Sequence, residues 1–298
     1  MREDRGNLPV FHIVILTAVA MLAFAANSLL CRLALQKGHI DPASFASIRL
    51  VSGALMLAAM LRIKSKPVLH MPADWLAATM LFAYVAFFSF AYLTLSAGTG
   101  ALILFGAVQL TMLGAGLRSG EMFRPLAWLG LAVAFAGLVY LLMPGIAAPP
   151  LVGAILMTLA GVAWGVYSLR GRGVTDPLAA TAGNFARAAP LALIALVLSL
   201  VFTANTLVNA AGIALAIGSG AVTSGLGYVI WYAALRKLSA MQAATVQLSV
   251  PLIAAFGGAL FLSEVMTLRL MSASVAILGG IALVLTSRSH KPRIERQA

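Results

Sequence analysis

The sequence predicts an all-α polytopic membrane protein: ten transmembrane helices arranged as two inverted five-helix repeats, with both termini on the cytoplasmic side. Three observations predict it. Hydrophobic residues make up 62% of the 298-residue chain and charged residues only 9%, whereas soluble domains carry about 25% charged residues. Apolar runs of about 17–25 residues recur along the chain, each near the length a helix needs to cross a bilayer. Finally, Ser96–Glu121 and Ser239–Glu264 are in register at an offset of 143 residues, which pairs Ser96 with Ser239, Ala101 with Ala244 and Glu121 with Glu264.

Cuts by charge, Pro or Gly place the helices at Val10–Leu30, Ala43–Leu61, Trp75–Leu95, Thr99–Leu117 and Pro125–Met143 in the first half. The second half follows as Leu151–Tyr167, Leu178–Phe202, Ala210–Leu235, Ala240–Leu262 and Thr267–Thr286. The domains are therefore 10–143, 151–286 and a basic cytoplasmic tail at 287–298. A short basic start (Arg2, Arg5) precedes the first run, which has no small-residue cleavage site and reads as a spanning helix rather than a removed signal peptide.

Loop charge sets the orientation. Fifteen of the twenty Lys and Arg residues fall on one side, and only Arg32, Lys37 and Arg269 on the other. The positive-inside rule makes the crowded side cytoplasmic, and the expected location is a cell inner membrane. The remaining two cations, Arg49 and Arg187, fall inside helices. Although the net charge is +12, the basic residues sit in short loops rather than on one face, which argues against nucleic acid as a partner.

What the chain lacks narrows the chemistry. Its eight acidic residues all lie in loops or at helix ends, so no carboxylate is expected in mid-membrane, where ion-coupled carriers keep one. The single cysteine, Cys31, excludes an internal disulfide and a thiolate cluster. No metal-ligand set, nucleophile set or Walker-type loop is found, so no metal, no cofactor and no enzymatic activity are expected.

The repeat extends beyond the twin segments. Phe24–Ser28 matches Trp164–Ser168 as aromatic-x-x-x-Ser, Asp41-Pro42 matches Asp176-Pro177, and Gly137 matches Gly280. An odd number of helices per copy turns the second copy upside down, an arrangement that places a substrate site near the midplane between the copies. With the small-residue helices that end in Gly120-Glu121 and Ser263-Glu264, these features resemble the EamA domains of the drug/metabolite transporter superfamily over about Phe11–Thr286. Within it, the amino-acid exporters, including the aromatic amino-acid exporter, are the nearest likeness. The family's proline is present at Pro251, but its mirror position is Val108.

The candidate cavity residues follow from cost and position. Arg49 and Arg187 are expensive in a membrane helix and serve either to bind a substrate carboxylate or to snorkel and cap carbonyls. Asn27, Gln109 and Gln247 place amides inside helices, where they bond a substrate or tie helices together. Gln247 precedes Pro251 by one turn, so its carbonyl is the one that the proline frees. For Tyr84, Trp164, Tyr167, Tyr228 and Trp231 the sequence leaves pocket wall and interfacial belt both open. Pro251, Gly225 and Gly227 are the candidate helix breaks.

The resemblance implies a secondary transporter that moves small organic solutes, foremost amino acids, aromatic or other hydrophobic ones among them, outward by alternating access. The absence of a mid-membrane carboxylate favours a uniporter or exchanger. Its partners are a small-molecule substrate and the lipid bilayer, and monomer and homodimer stay open. Two rival readings are a carrier of nucleotide sugars, sugar phosphates or lipid-linked sugars, and a non-transporting membrane partner subunit.

Overall fold

The computed structural model describes residues 10–64, 74–118, 125–143, 145, 148–171, 174, 176–202, 207–235 and 246–287. Among them the chain is helical throughout, apart from one isolated bridge between loops. The first half comprises α1 (Val10–Gln36), α2 (Pro42–Ile63), α3 (Trp75–Ala91), α4 (Ala97–Arg118) and α5 (Pro125–Leu142). The second comprises α6 (Leu151–Arg170), α7 (Pro177–Phe202), α8 (Ala210–Ile217), a π-helical segment (Gly218–Leu226), α9 (Gly227–Leu235), α10 (Ser249–Leu262) and α11 (Leu268–Ser287). Seven helical stretches are long and apolar enough to cross a membrane, and Trp75–Ala91, Ser249–Leu262 and Leu268–Val284 are shorter apolar helices. Large apolar side chains such as Val201, Phe202, Phe256 and Val275 stand exposed on the outer faces, as expected where lipid replaces water.

Local chemistry sets the helix starts. Asp41 accepts from the backbone N–H groups of Ala43 and Ser44, with Pro42 at the first helical position. Asp176 accepts from the Ala179 N–H ahead of Pro177 in the same way. An acidic N-cap followed by proline fits a helix start because proline has no N–H to satisfy there. Asp74 and Asn209 cap α3 and α8.

Two expected helices differ in detail. The run at 210–235 is not uniformly α-helical, since its glycine-rich centre widens into nine residues of π-helix. The expected helix Ala240–Leu262 is interrupted by a turn at Leu248, and α10 begins at Ser249 with Pro251 in its first turn. The physical reason is the missing N–H and the ring of Pro251, which disfavour a continuous helix across the preceding turn. Residues 240–245 of that expectation lie outside the described residues, as do Glu121 and the tail beyond Ser287.

The halves interlock. α2 packs on α7 and α5 on α11, while α6 lies against α3 and α4, and α1 against α8, α9 and α10. The α5–α11 crossing is close enough that a Cβ on Gly130 would meet the Gly280 carbonyl at 2.5 Å. In the same crossing Gly137, about two turns from Gly130, faces Ile277 and Gly280 also faces Ala134, and these two pairings exchange under the 143-residue offset. At the end that carries few charges, Ile40 bridges Val208, the Asp41 N–H donates to Leu207 O (2.8 Å) and the Asn209 N–H to His39 O (2.9 Å). Two of the three cations placed there by sequence are held by carbonyls: Arg32 donates to Tyr92 O and Leu93 O, and Arg269 to Met143 O.

Candidate functional site

A buried polar cluster forms where α1, α2, α3 and the π segment meet. The π segment approaches α2 so closely that a Cβ on Gly220 would collide with the Arg49 carbonyl and the Ser52 hydroxyl. This contact brings Ser219, Thr223 and Ser224 against α1 and α2. Ser219 donates to Asn27 Oδ1 at 2.5 Å, and Arg49 Nε donates to Ser224 Oγ at 3.2 Å. Thr223 Oγ1 lies 3.3 Å from Asn27 Oδ1, but its one proton is better placed for Ser219 O at 2.8 Å.

Tyr84 joins the two sides of the cluster. Its hydroxyl oxygen accepts from Arg49 Nη2 at 3.1 Å and, more weakly, from Asn27 Nδ2 at 3.4 Å. Because both partners are donors, the hydroxyl proton of Tyr84 stays available to an acceptor. The Arg49 guanidinium lies 5.1 Å from the Tyr84 ring centre and 5.0 Å from that of Phe88, within cation–π range. Arg49 is 1% exposed, its Nη1 has no hydrogen-bond partner, and no carboxylate pairs with it among the described residues. A buried cation without a counter-ion is costly, so its retention points to a task other than stability.

Beside this cluster the aromatic rings form a continuous box. Phe24 makes edge contacts with Trp164, Tyr228 and Trp231 at centroid distances of 6.3, 6.0 and 5.9 Å. Trp164 lies 4.9 Å from Tyr84, 5.1 Å from Tyr228 and 5.5 Å from Tyr167. The rings and Asn27 enclose a cavity of about 20 Å³, room for about one water. The rings come from four helices, so the box exists only when α1, α3, α6 and α9 are assembled. Its walls are apolar and π-rich, with an amide and a phenol at one end. That combination suits a ligand with an apolar body and a polar head.

Of the residues expected from sequence, Asn27, Tyr84, Trp164 and Tyr228 share this cavity wall. Arg49, Tyr167 and Trp231 stand directly behind it, each against a wall residue. Arg187 is placed elsewhere. It is half-buried, donates from Nη1 to Gly183 O at 2.9 Å, and lies 5.9 Å from the exposed Trp75 ring. Gln109 is buried in α4, while half-buried Gln247 and buried Pro251 lie at the start of α10, none of them on the wall. Gly225 and Gly227 lie at the end of the π segment and the start of α9, facing Met56 and Ala23. Sequence reasoning missed Phe24, Phe88, Ser219, Thr223 and Ser224. Ser219 and Thr223 stand four apart, the spacing that puts two hydroxyls on one helix face.

Among the described residues two ion pairs lie at opposite ends of the bundle, and each joins the first half to the second. At the end with few charges, Arg32 Nε meets Glu264 Oε1 at 3.2 Å, and both Glu264 oxygens accept from the Ala97 N–H at the start of α4. Ser263, in the left-handed conformation (φ 54°), turns the chain so that the Glu264 N–H returns to Gly258 O. At the other end, Arg170 of α6 meets Asp74 of α3 at 3.0 Å. This second pair is more exposed, and such pairs contribute only about 0–1 kcal/mol. The Ala77 N–H, and then Arg170, hold the Asp74 carboxyl below its ordinary range against the opposing effect of burial.

Comparison with known proteins places these features in context. Residues 151–286 match the EamA-like transporter family. The uncharacterized protein PA1977 of Pseudomonas aeruginosa is 54% identical over 281 residues, which cover 94% of this chain and 97% of that protein. A solved crystal structure, 18% identical, matches with a TM-score of 0.66 over 93% of this chain and 99% of its own. At that identity the likeness shows the fold alone.

Proposed function

We infer a function from the match of residues 151–286 to the EamA-like transporter family: this chain is a secondary carrier that moves a small organic solute across the membrane through the interface of its two halves. The solute is an amino acid, foremost one with an aromatic or other hydrophobic side chain. One observation carries the reading, namely an aromatic box whose polar end is formed by Asn27 and by Tyr84 backed by the uncompensated Arg49. The rings take the side chain and, by cation–π attraction, the ammonium group. The free hydroxyl proton of Tyr84, polarised by Arg49, goes to the carboxylate.

Alternating access accounts for the rest. The contacts between halves come in mirrored pairs, α1 with α8 and α9 against α6 with α3, and α1 with α10 against α6 with α4. This pattern supports two inverted repeats, ten spans and a central site. With an ion pair at each end and little space at the centre, the conformation is occluded. No acidic side chain lies on the wall of the box, which supports uniport or exchange over proton coupling. Export across a cell inner membrane is the direction we assign from the family resemblance.

Counterflow of each of the twenty amino acids into proteoliposomes is the test. We expect exchange of at least one aromatic or branched amino acid, independent of an imposed pH gradient. Absence of exchange for all twenty would end the amino-acid assignment. The second reading, a non-transporting partner subunit, draws on the small volume of the central cavity. It predicts neither counterflow nor binding.

A further inference from the structure

A second cavity, larger than the central one, lies between α3, α6 and α7 at the end where Asp74 and Arg170 meet. Its volume is about 110 Å³, several times the roughly 10–15 Å³ that one water needs. The side chains of Asp74, Arg170, Tyr167, Thr181 and Asn184 line it. Asn184 is 8% exposed, contributes to this wall, and makes no side-chain hydrogen bond among the described residues. Its amide opens onto the cavity and is left for water or a ligand to complete. Its position is not arbitrary, since Asn184 stands seven residues after Pro177 just as Arg49 stands seven after Pro42. By helix position Asn184, and not Arg187, is the counterpart of Arg49.

We propose that this cavity is a second solute site, a vestibule that takes the zwitterionic head of an amino acid before it reaches the aromatic box. The proposal rests on the amino-acid reading above and adds to it a second place of binding. The ligand's carboxylate takes Arg170 and the Asn184 NH₂, and its ammonium takes Asp74 Oδ2 and the Asn184 carbonyl oxygen. One exposed ion pair is thereby exchanged for two, while Asp74 Oδ1 keeps its cap on the Ala77 N–H. Opposite charges 3.0 Å apart select a zwitterion; a sugar phosphate would be repelled by Asp74. Tyr167 lines this cavity and stacks on Trp164, which lines the central one, so a single aromatic partition separates the two sites.

The test uses the full chain in membrane vesicles with Cys31→Ala and a reporter cysteine, Ala180→Cys, on the vestibule wall. Labelling by N-ethylmaleimide is followed with and without a mixture of the twenty amino acids, and counterflow of the same mixture is measured in parallel. We expect the mixture to slow labelling at least fivefold. Asp74→Asn, which keeps the cap, Arg170→Gln and Asn184→Ala should each remove that protection, whereas Asn27→Ala in the central site should leave it. Counterflow without protection overturns the vestibule and spares the proposed function. Protection that is lost in Asn27→Ala also overturns it, because the shielding then follows from central binding. Neither counterflow nor protection overturns both.

Discussion

Arg49 concentrates the tension between stability and function in one side chain. It is fully buried, stacked on two rings and bonded to two hydroxyls, yet it has no counter-ion among the described residues. Replacing even a buried ion pair by well-packed apolar residues of similar volume is often neutral or stabilising by about 1–4 kcal/mol, and Arg49 has no ionic partner among the described residues to lose. Arg49→Met should therefore leave the thermal midpoint in detergent unchanged or raised, while counterflow falls at least tenfold. A sharp drop in midpoint would make Arg49 a structural element instead. Asp74 gives a pH prediction of the opposite kind. Its carboxyl is held below the ordinary range, so its contribution is complete above the unfolded value of about 3.9 and is lost as pH falls through the lower folded value. Thermal stability should be flat in this respect from pH 8 to 5 and decline only below about pH 4. Asp74→Asn should remove that acid decline, by less than about 1 kcal/mol for so exposed a pair.

The element that departs most from regular geometry is the π segment, nine residues where one-turn bulges are the rule. A π-helix turns more residues per hydrogen bond, and here it shifts Ser219, Thr223 and Ser224 towards α1 and α2. The segment relies on Gly220, whose missing side chain lets it rest on the Arg49 carbonyl. Gly220→Ala forces the two backbones apart. A loss of about 1–3 kcal/mol, the usual cost of overpacking, is expected in thermal unfolding, together with loss of the Ser219–Asn27 contact and of substrate binding. If Gly220→Ala transports normally, the hydroxyls of the π segment do not shape the site. The break before α10 is a second irregularity. It lies near the Arg32–Glu264 pair only through the length of α10, so proline and ion pair act at opposite ends of one helix.

At the scale of the whole molecule, the two ion pairs and the mirrored helix contacts describe a body that is closed at both ends. Alternating access requires each pair to part in turn. Cross-linking by a short bis-maleimide, after Cys31→Ala, tests this directly. Asp74→Cys with Arg170→Cys, and separately Arg32→Cys with Glu264→Cys, should each stop counterflow once linked. The comparison is counterflow of each double variant before and after linkage. Transport that persists after linkage at either end would show that the end does not open. The α5–α11 crossing, by contrast, is packed backbone against backbone through Gly130 and Gly280.

The sequence by itself determined the membrane class and the order and approximate limits of the helices. These follow from local composition, hydropathy period and proline chemistry, all of which are written in consecutive residues. It also singled out the residues that are expensive in lipid, because cost depends on residue type alone. It did not separate Arg49 from Arg187, since both read as cations shortly after an Asp-Pro start. Only the packing of α2 against the π segment buries one among rings while leaving the other beside Trp75 at the edge. Nor did it settle whether the aromatics form a belt or a wall. That depends on where four helices converge, a relation between residues as distant as Phe24 and Trp231 that no local pattern encodes. The pairing of Asn184 with Arg49 lay in the sequence but stayed hidden behind the more conspicuous charge at Arg187. Tertiary structure decided it, because an unpaired amide acquires meaning only once the cavity beside it is known.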